Sequence, residues 1–95
     1  MKKAYLLAYS QSLGSRDEVK EILNSISEVN TWRYDMPYSF YLISEADAST
    51  LSKRIKERAP ANARYIVVEL AGNRQGWLTT ESWFLIKNKV HKPKT

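Results

Sequence analysis

The feature that most constrains this chain is that its extended segments are apolar on both sides. In residues 63–70, Ile66, Val68 and Leu70 alternate with Tyr65, Val67 and Glu69; in residues 3–9, Ala4, Leu6 and Ala8 alternate with Tyr5, Leu7 and Tyr9. Residues 38–44 set Phe40 and Leu42 against Tyr41 and Ile43. Successive strand side chains point to opposite faces, so a sheet built from these segments has no face polar enough to meet water uncovered. Both faces need cover.

Two helical patterns interrupt the strands. Ser15 and Glu18 have the spacing of a capping box, which satisfies two unpaired amides at a helix start. Val19, Ile22, Leu23 and Ile26 then recur on one helical face, predicting a helix over 16–28. A second helix follows Asp47, a good N-cap, and stops near Ala59 because Pro60 follows. Its apolar stripe is Ala48, Leu51, Ile55 and Ala59, and its other faces carry Lys53, Arg54, Lys56 and Arg58. With residues 29–34 as a further strand, the order is βαββαβ. Right-handed crossovers then give an α+β sandwich with antiparallel strand order 4-1-3-2 and both helices on one side.

Cover for the rear face is the open question. Asp35 to Tyr38 and residues 71–76 read as turns. Beyond them, Trp77 and residues 83–86 form an apolar appendix, expected to be a short fifth strand or an extended arm. With no evident place within one subunit, it suits exchange across a homodimer. Tyr5, Leu7, Tyr9, Trp77, Trp83 and Phe84 are therefore the expected interface.

The 95 residues make one domain, too small to hold a second core. The expected division is a domain over 1–86, including the arm at 77–86, and a basic, flexible tail over 87–95. The chain has no cysteine, which removes disulfides and thiolate metal sites together. No apolar run approaches a membrane span, and the basic N-terminus leads into strand alternation rather than a leader segment. A soluble, cytoplasmic protein with no membrane partner is expected.

The net charge of +5 looks like a nucleic-acid signal until it is located. Lys87, Lys89, Lys92 and Lys94 follow the last acid, and without them the chain has eleven bases against ten acids. The remaining concentrated positive surface is the second helix, where Lys53, Arg54, Lys56 and Arg58 either form an ordinary solvated face or track a phosphate backbone. The tryptophans read as packing or interface residues, with stacking on bases as the alternative.

Catalytic options are few. The sole histidine, His91, lies in the expected flexible tail, whereas a nucleophilic site needs a fixed base near its nucleophile, and the three glycines lack nucleotide-motif spacing. Where the first strand ends, the topology gathers Ser10, Gln11, Asp35, Tyr38, Ser39, Arg64 and Tyr65. Asp35 is the only acid among them. Its turn position assigns it a local structural role; under the rival reading, a metal-dependent endonuclease would use Asp35 or another carboxylate. No cofactor or metal is expected, magnesium entering only under that rival reading.

The βαββαβ order, Tyr5 to Tyr9 in the first strand, Tyr38 to Ile43 in the third, Trp32, residues 66–72 and the C-terminal tryptophan together resemble the small CRISPR adaptation protein Cas-two and the related SinR-like bacterial proteins. That resemblance spans roughly residues 3–86. It implies a ferredoxin-like fold and a homodimer with facing sheets. Catalytic members keep an aspartate just after the first strand, where paired carboxylates hold a metal; here Ser10 stands there. A neutral hydroxyl is a poor replacement for an anionic ligand of a hard cation. The resemblance thus implies a non-catalytic homodimer that binds DNA, RNA or a protein partner, in a defence or toxin–antitoxin-like setting. The alternatives are a metal-dependent endonuclease and a purely structural interaction module.

Overall fold

The computed structural model of the chain describes residues 1–93. It contains four strands and three α-helices: β1 (Lys3–Tyr9), α1 (Arg16–Asn24), β2 (Val29–Arg33), β3 (Ser39–Ser44), α2 (Ala48–Arg58), β4 (Tyr65–Glu69) and α3 (Thr80–Asn88). A single 3-10 turn, Gln11–Leu13, lies between β1 and α1. The sheet is antiparallel with order β2-β3-β1-β4, the order expected from the crossovers. No helix among the described residues is long and apolar enough to cross a membrane.

The helix starts follow their caps. Ser15 Oγ accepts from the Glu18 amide, and Glu18 Oε1 accepts from the Ser15 amide at 2.8 Å, closing the capping box. Gly14, just before it, has a φ of 139°, open to glycine and strained for other residues. Asp47 Oδ1 accepts from the Thr50 amide at 2.8 Å to begin α2. α1 ends earlier than its apolar spacing predicts, because Ser25 Oγ donates to the Ile22 carbonyl at 2.6 Å; such back-bonding competes with helix continuation. Ile26 is nevertheless buried, carried there by the turn that follows.

α1 and α2 cover one face of the sheet. The core beneath them comprises Tyr5, Leu7 and Tyr9 of β1, Phe40 and Leu42 of β3, and Leu13, Val19, Leu23, Ile26, Leu51 and Ile55. The expectation that Tyr5, Leu7 and Tyr9 form a rear interface is therefore corrected. These three side chains lie on the helix side, with Tyr5 and Leu7 essentially sealed from solvent. The alternation of β1 holds, but the phase carrying Tyr5, Leu7 and Tyr9 faces the helices and the phase carrying Ala4, Leu6 and Ala8 faces the rear.

The rear face belongs to Ala4, Leu6, Ala8, Tyr41, Ile43, Ile66 and Val68, and a second correction concerns its cover. The segment expected as a fifth strand or extended arm is the helix α3. Thr79 Oγ1 accepts from the Ser82 amide as its N-cap, and Glu81 sits in the first turn, favoured by the helix dipole. Leu85 and Ile86 are buried against Ala4, Tyr41 and Ile43, with Trp83 and Leu78 packed around them. Burying each of these aliphatic side chains contributes about 1.5–3 kcal/mol. α3 runs through Lys87 and Asn88 into a left-handed Lys89 whose amide bonds to the Leu85 carbonyl. The start of the expected flexible tail is therefore helical, and His91 Nε2 lies 2.6 Å from Thr31 Oγ1. Lys94 and Thr95 lie outside the described residues.

Candidate functional site

Two regions combine exposure with organised side chains: the end of the sheet where β1 stops, and the half of the rear face that α3 leaves open.

At the sheet end, backbone bonds assemble the loops. The Tyr9 amide donates to the Tyr38 carbonyl, and the Ser10 amide donates to the Arg64 carbonyl, both at 3.0 Å. Ser12 Oγ accepts from the Arg64 amide at 2.8 Å, and Gln11 Nε2 donates to the Tyr38 hydroxyl at 2.8 Å. Of the residues expected there, the structure thus brings Ser10, Gln11, Tyr38 and Arg64 together. Ser10 Oγ lies 2.5 Å from Ser12 Oγ and also accepts from the Ser12 amide, so it caps a turn.

Tyr38 has a φ of 61°, uncommon for a bulky residue. Its ring meets Tyr9 edge to face, with centroids 5.9 Å apart. Between these rings and the start of α1 lies a cleft of about 450 Å³, lined by Tyr9, Gln11, Gly14, Arg16, Pro37 and Tyr38 among others. A second hollow of about 410 Å³, which includes Ser10 and Ser12, shares Tyr9, Gln11 and Tyr38 with it.

Asp35 turns to the other side. Its Oδ1 accepts from the Tyr41 hydroxyl at 2.6 Å, and its Oδ2 accepts from the Thr79 amide and hydroxyl, both at 3.3 Å. Burial alone would raise its pKa, but hydrogen bonds from Tyr41, Ser82 and Thr79 outweigh that and hold it below the usual carboxylate value. The same contact works in reverse on Tyr41, whose hydroxyl is pushed up by burial and by the acceptor beside it. Asp35 joins the turn after β2 to the start of α3. Its oxygens are engaged in that tie, and no group of three or more His, Cys, Asp or Glu side chains among the described residues is placed to hold a metal ion.

The basic ridge of α2 divides in two. Arg54 Nε bonds Glu28 Oε2 at 3.0 Å and its Nη1 reaches Glu57 at 3.4 Å. Arg58 donates to the Arg54 carbonyl at 2.9 Å and the Ser25 carbonyl at 3.3 Å. These two arginines fasten α2 to the segment after α1. Lys53 and Lys56 are exposed and make no ion pair among the described residues. Four side chains grouped by sequence become two anchors and two exposed cations.

The rear face is covered unevenly. α3 sits over β1 and β3, and Arg33 Nε reaches across to Ser82 Oγ at 2.9 Å. Toward β4, Ile66 is 58% exposed and Trp77 is 99% exposed, with Val68 and Met36 also open. An apolar groove of about 240 Å³ runs beneath Trp77, between Leu6, Leu70 and Trp83. Of the expected interface residues, Trp77 is thus open, Trp83 packs within the rear cluster, and Phe84 is half-buried.

The outer edge of β4 adjoins this patch. The Leu70 amide donates to the Ala4 carbonyl at 2.8 Å and Ser10 to Arg64, so alternate residues from Arg64 to Leu70 face β1. Antiparallel pairing therefore directs the amides and carbonyls of Tyr65, Val67 and Glu69 outward. The open edge escaped sequence reasoning, although the run Tyr-Ile-Val-Val-Glu, with no proline or lysine, is its signal. No family model, curated protein or solved structure matches the chain.

Proposed function

We propose that the protein is a non-catalytic, ferredoxin-like binding module of the Cas-two-like kind, which works as a homodimer joined along β4. The observation that carries this reading is the unguarded β4 edge beside an apolar patch. A two-fold axis at Val67 sets Val67 opposite its copy and Tyr65 opposite the partner's Glu69, so the outward amides and carbonyls of each strand meet those of the other. The same register pairs Ile66 with the partner's Val68 on the rear face, where both are exposed. The edge is thus complementary to itself, which is what a two-fold interface requires. Ser10, a turn-capping hydroxyl where catalytic relatives keep an acid, supports the non-catalytic part.

Sedimentation velocity tests the dimer. The wild type should sediment as a dimer at micromolar concentration, and Ile66→Lys/Val68→Lys as a monomer with unchanged circular dichroism. A wild type that remains monomeric at high concentration removes the proposal.

Nucleic acid is the partner that the exposed Lys53 and Lys56 favour. Duplex binding should fall steeply with salt and weaken in Lys53→Glu/Lys56→Glu. Equal gel-shift retention of that variant and wild type would remove this part while leaving the dimer intact.

A further inference from the structure

The cleft between Tyr9, Tyr38 and the start of α1 is used neither by the β4 edge nor by the α2 lysines. Its volume of about 450 Å³ lies within the range of about 300–1,000 Å³ usual for small-ligand sites. Three features of its wall act together. Tyr38 presents a ring that is 46% exposed, held by a left-handed backbone and by Gln11 on its hydroxyl. Arg16 has its guanidinium 4.3 Å from the Tyr34 ring centroid and makes no ion pair or hydrogen bond among the described residues. Tyr9 is 7% exposed. Among the described residues its hydroxyl has no hydrogen-bond partner, yet none of their buried polar side-chain atoms is left unsatisfied, so that hydroxyl reaches solvent, and Tyr9 lines both adjoining hollows.

We infer that this cleft binds a nucleotide, with the base against Tyr38 and the phosphate on Arg16 and the Tyr9 hydroxyl. A flat aromatic surface takes any base by its π-face, and a planar guanidinium presents paired donors to phosphate. A hydroxyl that no protein group engages and that opens to the cleft is free to donate to a phosphate oxygen. None of the residues lining the cleft is acidic, and the adjoining Glu18 carboxylate is engaged by the Ser15 amide in the capping box. Burial pushes the Tyr9 hydroxyl up despite the opposing pull of Arg16, and it stays a proton donor at neutral pH. The ligand is either a free mononucleotide or one unit of a single strand, and both offer the same base and phosphate.

Isothermal titration of the full chain with adenosine monophosphate, adenosine, inorganic phosphate and a short single-stranded oligonucleotide tests the assignment. Adenosine monophosphate should bind at least about tenfold more tightly than adenosine or phosphate alone. Arg16→Met, at an exposed position, should reduce its affinity to that of adenosine. Tyr38→Asn, which tolerates the left-handed backbone, should reduce it to that of phosphate, and Tyr9→Phe should weaken it severalfold. Binding of the mononucleotide without the oligonucleotide identifies a free-nucleotide site; oligonucleotide binding displaced by the mononucleotide identifies a strand site. The inference is overturned if neither nucleotide form binds, if adenosine binds as tightly as its monophosphate, or if Arg16→Met binds like wild type. The monomeric Ile66→Lys/Val68→Lys variant should bind the mononucleotide normally, which separates this result from the fate of the dimer.

Discussion

The two edges of the sheet face the same hazard and meet it differently. β2 carries an irregularity between Val29 and Thr31, which breaks the regular ladder. Asn30 is exposed there, Thr31 is bonded to His91, and Arg33 is bonded to Ser82. β4 has a regular five-residue pairing with β1 and, among the described residues, no irregularity on its outer side; its one charge, Glu69, stands at the strand's end. Strand edges invite pairing unless charge, proline or a bulge discourages it. The difference follows from width. A helix is about 10–12 Å across with its side chains, and strands lie about 4.8 Å apart, so one helix covers roughly two of four strands. α3 is committed to the β1 and β3 side, and the β4 side is left for something else.

Removing the guard should have the largest effect. Leu85 is fully buried between α3 and the sheet, and Leu85→Ala should destabilise the chain by about 2–5 kcal/mol in urea unfolding. If the guarded half really differs from the open one, this variant should also self-associate more readily, as the rear face around Ile43 becomes accessible.

The next effect is electrostatic. Asp35→Asn should cost about 1–3 kcal/mol at neutral pH, because hydrogen bonds to a charged acceptor at the start of α3 are weakened. Asp35 is held below its unfolded value in the folded chain, so the unfolded state takes up the proton first as pH falls. Its contribution is fully present above the unfolded pKa near about 3.9, and is lost as pH falls from there through the lower folded value. An acid titration of thermal stability should therefore be shallower in Asp35→Asn over that window. Parallel curves for the two proteins would show that the tie carries no charge-dependent stability.

The smallest effect is expected at the guarded edge itself. Thr31→Val removes the exposed contact with His91 and should change stability by no more than about 0.5 kcal/mol. Dimerisation should be unaffected. A dimer sensitive to Thr31 but indifferent to Ile66 and Val68 would reverse the assignment of the two edges.

What could be read from the residues was mostly local. The caps at Ser15 and Asp47 and the alternation of β1, β3 and β4 were all legible, because each depends on neighbours close in sequence. Right-handed crossovers then gave the strand order. The face assignment of Tyr5, Leu7 and Tyr9 was not legible, since both phases of β1 are apolar and only the packed helices decide between them. α3 was missed for a related reason. Trp83 to Ile86 is a short apolar run that suits a strand, while the signals that favour a helix, Thr79 as cap, Glu81 in the first turn and Ser82, Leu85 and Ile86 on one face, depend on spacing. At the candidate sites, grouping by charge put Arg54 with Lys53, because sequence does not reveal that Glu28 waits for one and not the other.

Gly14 shows how little freedom the wall of the Tyr9–Tyr38 cleft leaves for change. A β-carbon there would come within 3.1 Å of Glu18 Cβ and 3.2 Å of its Oε1, the oxygen that closes the capping box. Even alanine would have to displace that carboxylate while adopting a backbone angle it disfavours. The residue that contributes no side chain thus leaves room for the carboxylate that starts α1, and enlarging it would disturb one wall of the cleft and helix initiation in a single stroke.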